Sequence, residues 1–313
     1  MARPSRLVSL STIRTASGRT GGRIGWGPTV TVLLSWNIQY GKGCDGRIDL
    51  GRIADVARSR GPVDVLCFQE VAQNYAQMGG GDGVDQVADL CARFPGYQAH
   101  FAAGVDAPGP GRESRRRFGN LTLSRLPVLD AAAHLLPRPA EPGVLHMPRA
   151  AMACLVETSA GPVRVLSTHL EFHSERQRLA QAQRLCALHA EAVENDRQPP
   201  APGPGAYALL PRAAGTLVCG DFNFELASGP YAAMRTAFAD AWTVVHGVKP
   251  HAPTCGIYDH QQWTQGAHAR DFWFVSPNLA GAIRDIAVDT GTDASDHQPV
   301  WLSLSPPSKP SAA

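Results

Sequence analysis

Along this chain, side chains able to do acid–base or metal chemistry stand where apolar runs begin or end. Asn37 follows Val30–Trp36 (VTVLLSW), and Gln69 and Glu70 follow Val63–Phe68 (VDVLCF). His169 closes the run Val163–Thr168, and Asp221 and Asn223 follow Thr216–Cys219. Asp271 opens a run that ends at Val275, and Ser295, Asp296 and His297 stand just before Pro299–Leu304. Taken singly, each has an ordinary structural reading. Asn37 serves as a turn residue, Glu70 as a carboxylate at a helix start, His169 as a satisfied imidazole, and Asp221–Asn223 as an Asx turn. Taken together, Glu70, Asp221, Asp296, Asp271, Asn37, Asn223, His169 and His297 repeat one arrangement that packing does not require. Loops at strand ends converge over a rigid base, which is where sites gather in such sheets. Carboxylate and amide oxygens without thiolates suit a hard cation such as Mg2+ or Mn2+. A histidine whose tautomer is fixed by a carboxylate can act as a general base. The combination is the equipment of metal-assisted phosphoester hydrolysis.

The elements that must hold these residues are short. Strand-like runs are Val30–Trp36, Val63–Phe68, Phe118–Leu123, Ala150–Glu157, Val163–Thr168, Thr216–Cys219, Asp271–Val275 and Pro299–Leu304. Several are apolar on both faces, as in sheets covered on both sides. Helical stretches are Leu50–Arg60, Asp85–Phe94 and Ser174–Val193. In the last, Ser174 and Gln177 form a capping-box pattern, and Leu179, Ala182, Cys186, His189 and Val193 make one stripe. Many strand pairs lack a helix between them, so the class is α/β with mixed rather than purely parallel sheets. Pro/Gly-rich pieces at Gly104–Gly111, Pro137–Pro148, Gln198–Gly215 and Gly247–Ala269 read as loops.

Composition narrows the function classes. Apolar residues are 44% of the 313, enough for a large core, and charged residues are only 18%. That argues against a chain built on long charged disorder. A net charge of +2 is too small for a protein living on bulk nucleic-acid charge, although a local basic patch fits within it. No apolar run reaches the ~18 residues of a membrane span, so no integral membrane association is expected. Seven cysteines with no CxxC pair read as buried free thiols in a reducing, cytoplasmic setting. Residues 1–29 carry Arg3, Arg6, Arg14, Arg19 and Arg23 and no acid, the composition of a flexible basic leader or of an organelle transit peptide.

The series Trp36-Asn37, Gln69-Glu70, Gly119–Arg125 (GNLTLSR), Ser167–Leu170 (STHL), Gly220–Asn223 (GDFN), Asp271–Ser276 (DFWFVS) and Ser295–Val300 (SDHQPV) resembles the endonuclease/exonuclease/phosphatase superfamily. These are the deoxyribonuclease-I-like metal-dependent phosphoesterases. The motifs run in the family's order from Val30 to Leu304. The resemblance implies a four-layer α/β/β/α sandwich, two mixed sheets face to face with helices outside. It implies one such domain over residues 30–305 and a disordered tail over 306–313. Glu70 is then the principal metal ligand with Asn37 beside it, and Asp296 completes the metal-side carboxylates. Asp221 and Asn223 position the attacking water and the phosphate. His297, held by Asp271, is the general base or a phosphate contact, and His169 binds a phosphate oxygen. The cofactor implied is Mg2+, with Mn2+ as a substitute. The family's RxD spacing is contracted here to Arg270-Asp271, so no arginine role passes to Arg270. The tyrosine motif of abasic-site endonucleases is absent where Thr168-His169-Leu170 stands.

Substrate signals are fewer. Arg112, Arg115, Arg116 and Arg117 lead into Phe118, and Arg116 is a candidate phosphate grip, with a solvated basic loop as the alternative. Arg149 opens a strand-like run and follows His146-Met147-Pro148, a stretch that resembles one near the phosphate in relatives. His169 and His173 have HxxxH spacing, but a strand end is the wrong place for a helical zinc pair. Tyr258, His260 and Trp263 lie in one long loop, where they can stack on a base or sugar or pack on the body. The expected partner is a phosphoester: a small molecule, a lipid-derived ester or a nucleic acid. No protein partner is inferable. The function expected is a divalent-metal phosphoesterase acting on a diester or monoester. The alternatives are a nuclease of the same mechanism and an idle binding protein on the same scaffold.

Overall fold

The computed structural model describes residues 30–306, apart from 77, 79–83, 110, 112 and 113. The expectations for the leader, for Arg112 and for residues 307–313 of the tail lie outside the described residues. In chain order the strands are β1 Thr31–Asn37, β2 Val65–Gln73, β3 Gln98–Pro108, β4 Arg115–Ser124, β5 Val128–Leu135, β6 Ala150–Thr158, β7 Gly161–His169, β8 Thr216–Asp221, β9 Ala239–Asp240, β10 Asp271–Val275, β11 Ile283–Val288 and β12 Val300–Leu304. The α-helices are α1 Leu50–Arg58, α2 Gln86–Arg93, α3 Glu175–Arg197, α4 Gly229–Arg235 and α5 Ala241–His246.

The strands form two six-stranded mixed sheets, ordered β11-β12-β1-β2-β4-β3 and β5-β6-β7-β8-β10-β9. Each sheet holds one parallel pair, β1 with β2 and β7 with β8, and the remaining pairs are antiparallel. A parallel pair needs a crossover, and here α1 connects β1 to β2 and α3 connects β7 to β8. The period-2 alternation of a strand then sorts side chains between layers. Leu33, Val65, Cys67, Val165, Leu217, Cys219, Trp273 and Leu302 meet in the core between the sheets. Leu34, Trp36, Leu66 and Phe68 face outward onto Ile53 and Ala57 of α1 and Leu90 of α2. Leu166, Val218 and Phe274 face outward onto Leu185 of α3 and Met234 of α4. Three apolar cores therefore separate four layers, the expected α/β/β/α sandwich, and strands buried on both faces read as unbroken apolar runs.

Several local expectations needed correction. β3 runs through most of Gly104–Gly111, which reads as a loop, and β5, β9 and β11 extend beyond the expected strands. Ser174 does cap α3, accepting from Gln177 N at 3.0 Å. The reciprocal half of the capping box is missing, because Gln177 Nε2 donates to Pro139 O at 3.0 Å and ties the 137–148 segment to the helix. The face of α3 that is fully buried carries Gln181, Ala182, Leu185, Leu188 and Ala192. Leu179, Cys186, His189 and Val193 of the expected stripe are its half-buried flank, and Cys186 donates to Ala233 O of α4. All seven cysteines are free; Cys67, Cys154, Cys219 and Cys255 are buried, whereas Cys44 is exposed and Cys91 and Cys186 are half-buried, contrary to the expectation of buried thiols throughout. No helix among the described residues is long and apolar enough to cross a membrane.

Candidate active site

The two parallel pairs bring their carboxyl ends to the same edge of the sandwich. Asn37 ends β1 opposite Gln69 of β2, and His169 ends β7 opposite Asp221 of β8. Antiparallel neighbours add residues from their beginnings. Asp271 opens β10 opposite Asp221, and Asp296 and His297 lie in the segment entering β12 beside β1.

Local backbone features aim these groups. A bulge between Phe68 and Val71 interrupts the pairing of β2 with β4, and Glu70 sits in it at φ 59°. A non-glycine residue in that left-handed region costs of order 1–3 kcal/mol, and such conformations cluster at functional sites. Asn223 is held likewise at φ 53°. Gly220 has φ 139°, and a Cβ there would lie 1.8 Å from Thr168 O. Only glycine lets β8 approach β7 closely enough to set Asp221 beside His169. Buried cross-links fix the sheets to each other below the site. Gln69 Nε2 donates to Cys67 O at 2.9 Å and to Ser167 Oγ of the opposite sheet at 3.2 Å. Within the first sheet, Trp36 Nε1 donates to His297 O at 2.9 Å and Ser295 Oγ donates to Asn37 O at 2.8 Å, tying the β12 entry to β1.

Above this floor the predicted residues converge. Asn37 Nδ2 donates to Glu70 Oε1 and to Asp221 Oδ2, both at 3.0 Å. Asp221 Oδ1 accepts from Asn223 N at 2.9 Å. Asp221 Oδ2 lies 3.4 Å from His169 Nε2 and 3.6 Å from His297 Nε2. His297 Nδ1 is hydrogen-bonded to Asp271 Oδ2 at 2.8 Å, which turns Nε2 toward Asp221 and toward Asp296 Oδ2 at 4.0 Å. Asn223 Nδ2 reaches His169 Nε2 at 2.9 Å and donates to Leu170 O at 3.0 Å. The first of these contacts makes Nε2 an acceptor and leaves the His169 proton on Nδ1.

Charge in this buried cluster is strongly biased. Burial, reinforced by Asp296, pushes the Glu70 carboxyl up to about 7. Burial also raises Asp296, and it pushes Asp271 up to about 6 against the pull of His297. For Asp221, burial works toward neutrality, but His297 and His169 outweigh it and hold the carboxyl low. Burial disfavours the charged form of His297, yet Asp271, Asp221 and Asp296 together raise it well above the usual imidazole range. His169 goes the other way, pushed down to about 3 by burial and by Arg149. One neutral and one charge-prone imidazole thus flank a single carboxylate.

Asp221, Asp271 and His297 offer ligand atoms within 4.8 Å of one another, which makes them one group that could hold a metal ion. The short Asp271–His297 hydrogen bond already occupies Nδ1, so this trio is better described as an Asp–His pair facing Asp221. Glu70 and Asp296 form the carboxylate side of the cluster, and Asn37 turns Nδ2 toward it while its Oδ1 accepts from Gln39 N at 3.0 Å. Glu70 and Asp296 are the pair whose proximity favours protonation of one carboxyl, a state that a divalent cation relieves.

A cavity of about 320 Å3 opens from this cluster, lined by Glu70, His169, Asp221, Asn223 and His297 at its base. Arg149 lines it too, buried, with Nε donating to Glu171 Oε2 at 3.1 Å. Glu171 was missed in the sequence. It is fully buried and also accepts from Met147 N at 3.2 Å and His173 N at 3.0 Å, so it locks both walls of the cavity. Its only signal was an acid two residues beyond His169. Thr254 was likewise missed; its Oγ1 accepts from Asp271 N at 3.0 Å and so positions β10. Arg116 is not brought in. It is exposed on β4, donates to Pro108 O at 2.9 Å, and its guanidinium lies over the Tyr75 ring at 5.8 Å. Of the aromatic loop, Trp263 is buried and lines the cavity, whereas His260 is exposed and Tyr258 donates to Thr290 O at 3.0 Å.

Solved structures share the fold along most of the chain. An endonuclease/exonuclease/phosphatase from Beutenbergia cavernae is 23% identical, with a TM-score of 0.63, covering 89% of this chain and 72% of that one. A mannosyl-6-phosphatase from Bacteroides thetaiotaomicron is 17% identical, with a TM-score of 0.57, covering 87% and 98%. A 3' phosphatase from Neisseria bound to a product DNA hairpin is 18% identical, with a TM-score of 0.56, covering 88% and 99%. No curated protein matches the chain. The model of the Endonuclease/Exonuclease/phosphatase family matches residues 34–297, from within β1 to the histidine of the Asp–His pair, and the chain belongs to that family.

Proposed function

We propose that the protein hydrolyses phosphoester bonds with a hard divalent cation, Mg2+ or in its place Mn2+. The observation that carries this reading is the bridge Asn37 Nδ2 makes between Glu70 and Asp221, at 3.0 Å to each, with His297 Nε2 3.6 Å from the same Asp221 oxygen. It joins an oxygen-donor side to an acid–base side within one phosphate's reach. Glu70 and Asp296 would hold the cation, with Asn37 beside them donating to Glu70. When bound, it supplies Lewis-acid polarisation of a phosphoryl oxygen.

The chain's own residues do the rest. Asp221, kept anionic, orients the attacking water and takes its proton. Asn223 and Asn37 fix that carboxylate. Asp271 fixes the His297 tautomer, so that Nε2 meets the phosphoryl oxygens where charge develops. His169, with its proton on Nδ1, contacts the phosphate from the opposite side, and Arg149 binds a further oxygen. A nuclease of the same mechanism is the second reading, favoured by the likeness to the Neisseria phosphatase bound to DNA.

The test is a screen of purified protein with Mg2+ against bis(p-nitrophenyl) phosphate, plasmid DNA, RNA, sphingomyelin and inositol phosphates, with Asp221→Asn as control. Cation-dependent release of product by the wild type alone is expected. Equal turnover by the variant, or none by either protein, contradicts the proposal.

A further inference from the structure

The walls of the cavity above the reactive cluster differ in chemistry from its base. They are formed by Phe118, Leu145, Met147, Phe172 and Trp263. Phe172 packs edge-on against Trp263 with ring centroids 5.9 Å apart. Two of these apolar side chains are left open to water at the mouth, Leu145 at 73% and Phe172 at 38% exposure. His173 and Gln262 are exposed and form the polar outer edge.

Charge on the walls is scarce. Arg149 is the one lysine or arginine lining the cavity among the described residues. Its Nε is matched by the buried Glu171 carboxylate, so the pair is neutral overall. Arg149 Nη1 is buried without a hydrogen-bond partner among the described residues, which leaves it to donate to one phosphate oxygen at the base. The neighbouring arginines are already engaged. Arg178 Nη1 donates to Glu171 O at 2.6 Å and Phe172 O at 2.8 Å. Arg270 Nε donates to His268 at 2.7 Å, and its guanidinium lies over the Trp263 ring at 4.9 Å. A polynucleotide needs several free cations along its phosphates, and an apolar wall with a few polar groups suits a small apolar ligand.

We infer that the substrate is a phosphoester whose alcohol portion is uncharged and apolar, an aromatic ring or a short alkyl chain seated against Phe118, Leu145, Met147, Phe172 and Trp263. This rests on the phosphoester reading above. In the reaction, water oxygen bonds to phosphorus, the phosphorus–alkoxide bond breaks, and the alcohol leaves carrying the proton.

The experiment compares benzyl and hexyl phosphate with glycerol 3-phosphate and glucose 6-phosphate, each as the monoester and as the methyl diester, alongside a single-stranded DNA oligonucleotide, all with Mg2+. The alcohols released are all primary, so the comparison reads the cavity and not the bond being broken. Expected is a kcat/KM about tenfold or more higher for the benzyl and hexyl esters, from the apolar area they bury. Phe172→Ser is expected to cut that preference several-fold, through KM more than kcat. Calorimetry of the Mg2+-loaded protein is expected to show benzylphosphonate binding about tenfold tighter than methylphosphonate. Turnover without preference, preference for the polyol phosphates, or faster cleavage of the oligonucleotide overturns the inference alone. Failure to cleave any ester overturns the phosphoester reading and the inference with it.

Discussion

Asp221 is the residue on which both halves of the site depend. It accepts from Asn37 and from Asn223 N, and it lies within 3.6 Å of both imidazoles. Asp221→Asn keeps the shape but removes the charge and the basicity. Turnover should fall roughly 10²–10⁴-fold, with a melting temperature within a few degrees of wild type; an active variant, or one that unfolds, shows the residue to be structural. Glu70→Gln should act differently. The half-activating Mg2+ concentration should rise at least tenfold and Mn2+ should recover part of the rate, as a titration of turnover against each metal would reveal. Asp221 stood out in the sequence as a carboxylate at the end of an apolar strand, and Glu70 as one following Val63–Phe68, although β2 runs on to Gln73 and holds Glu70 in a bulge. Glu171 did not stand out, because its value lies in partners 22 and 24 residues away in sequence, Arg149 and Met147. Arg116 was misread for the converse reason: a run of arginines signals charge, but strand alternation and Pro108 decide where each one points.

Elements set the precision with which those residues meet. β8 lies between β7 and β10, and Gly220 marks its closest approach to β7. Gly220→Ala should lower the melting temperature by roughly 5 °C or more and reduce turnover, as calorimetry and a rate assay on one preparation can check; a neutral substitution would mean the strands have room to part. Helix α3 carries a separate, pH-linked contact. His189 is half-buried, its Nδ1 is 3.0 Å from Thr216 Oγ1 on β8, and burial, aided by Arg164, holds its pKa below the usual value. A depressed imidazole pKa means the unfolded chain binds the extra proton first. The stabilisation is therefore complete above about 6.5 and is lost as pH falls below it. Melting temperature should drop between pH 7.5 and 5.5, and His189→Gln should shrink that drop; an identical drop in the variant assigns the acid sensitivity elsewhere. Interior strands were readable from their apolar runs, whereas edge strands were not. β5 is alanine-rich (VLDAAAHL) and half-exposed, and β3 contains Gly104, whose missing side chain makes room for Pro148 O. Neither has the β-branched density that marks a strand.

At the scale of the whole molecule, two βαβ units in separate sheets present their carboxyl ends to one another, and the candidate active site is where those ends meet. Period-2 patterning could show that the strands are covered on both faces, but not that Ser167 of one sheet would receive Gln69 of the other. That pairing follows from the sandwich, which the ordered motifs from Trp36 to Val300 implied through resemblance. Both sheets supply the site: Asn37, Glu70, Asp296 and His297 come from the first sheet and its β12 entry, and His169, Asp221, Asn223 and Asp271 from the second. On the proposed function, the carboxylates of the first sheet and Asp221 of the second should both be needed for turnover. The most direct test is hydrolysis of bis(p-nitrophenyl) phosphate by protein stripped with a chelator, then titrated with Mg2+, for wild type and Asp221→Asn in parallel. No turnover is expected in the stripped protein, with saturable recovery on adding Mg2+ and no comparable recovery in the variant. Full activity without a divalent cation, or equal recovery in Asp221→Asn, would contradict the proposed function.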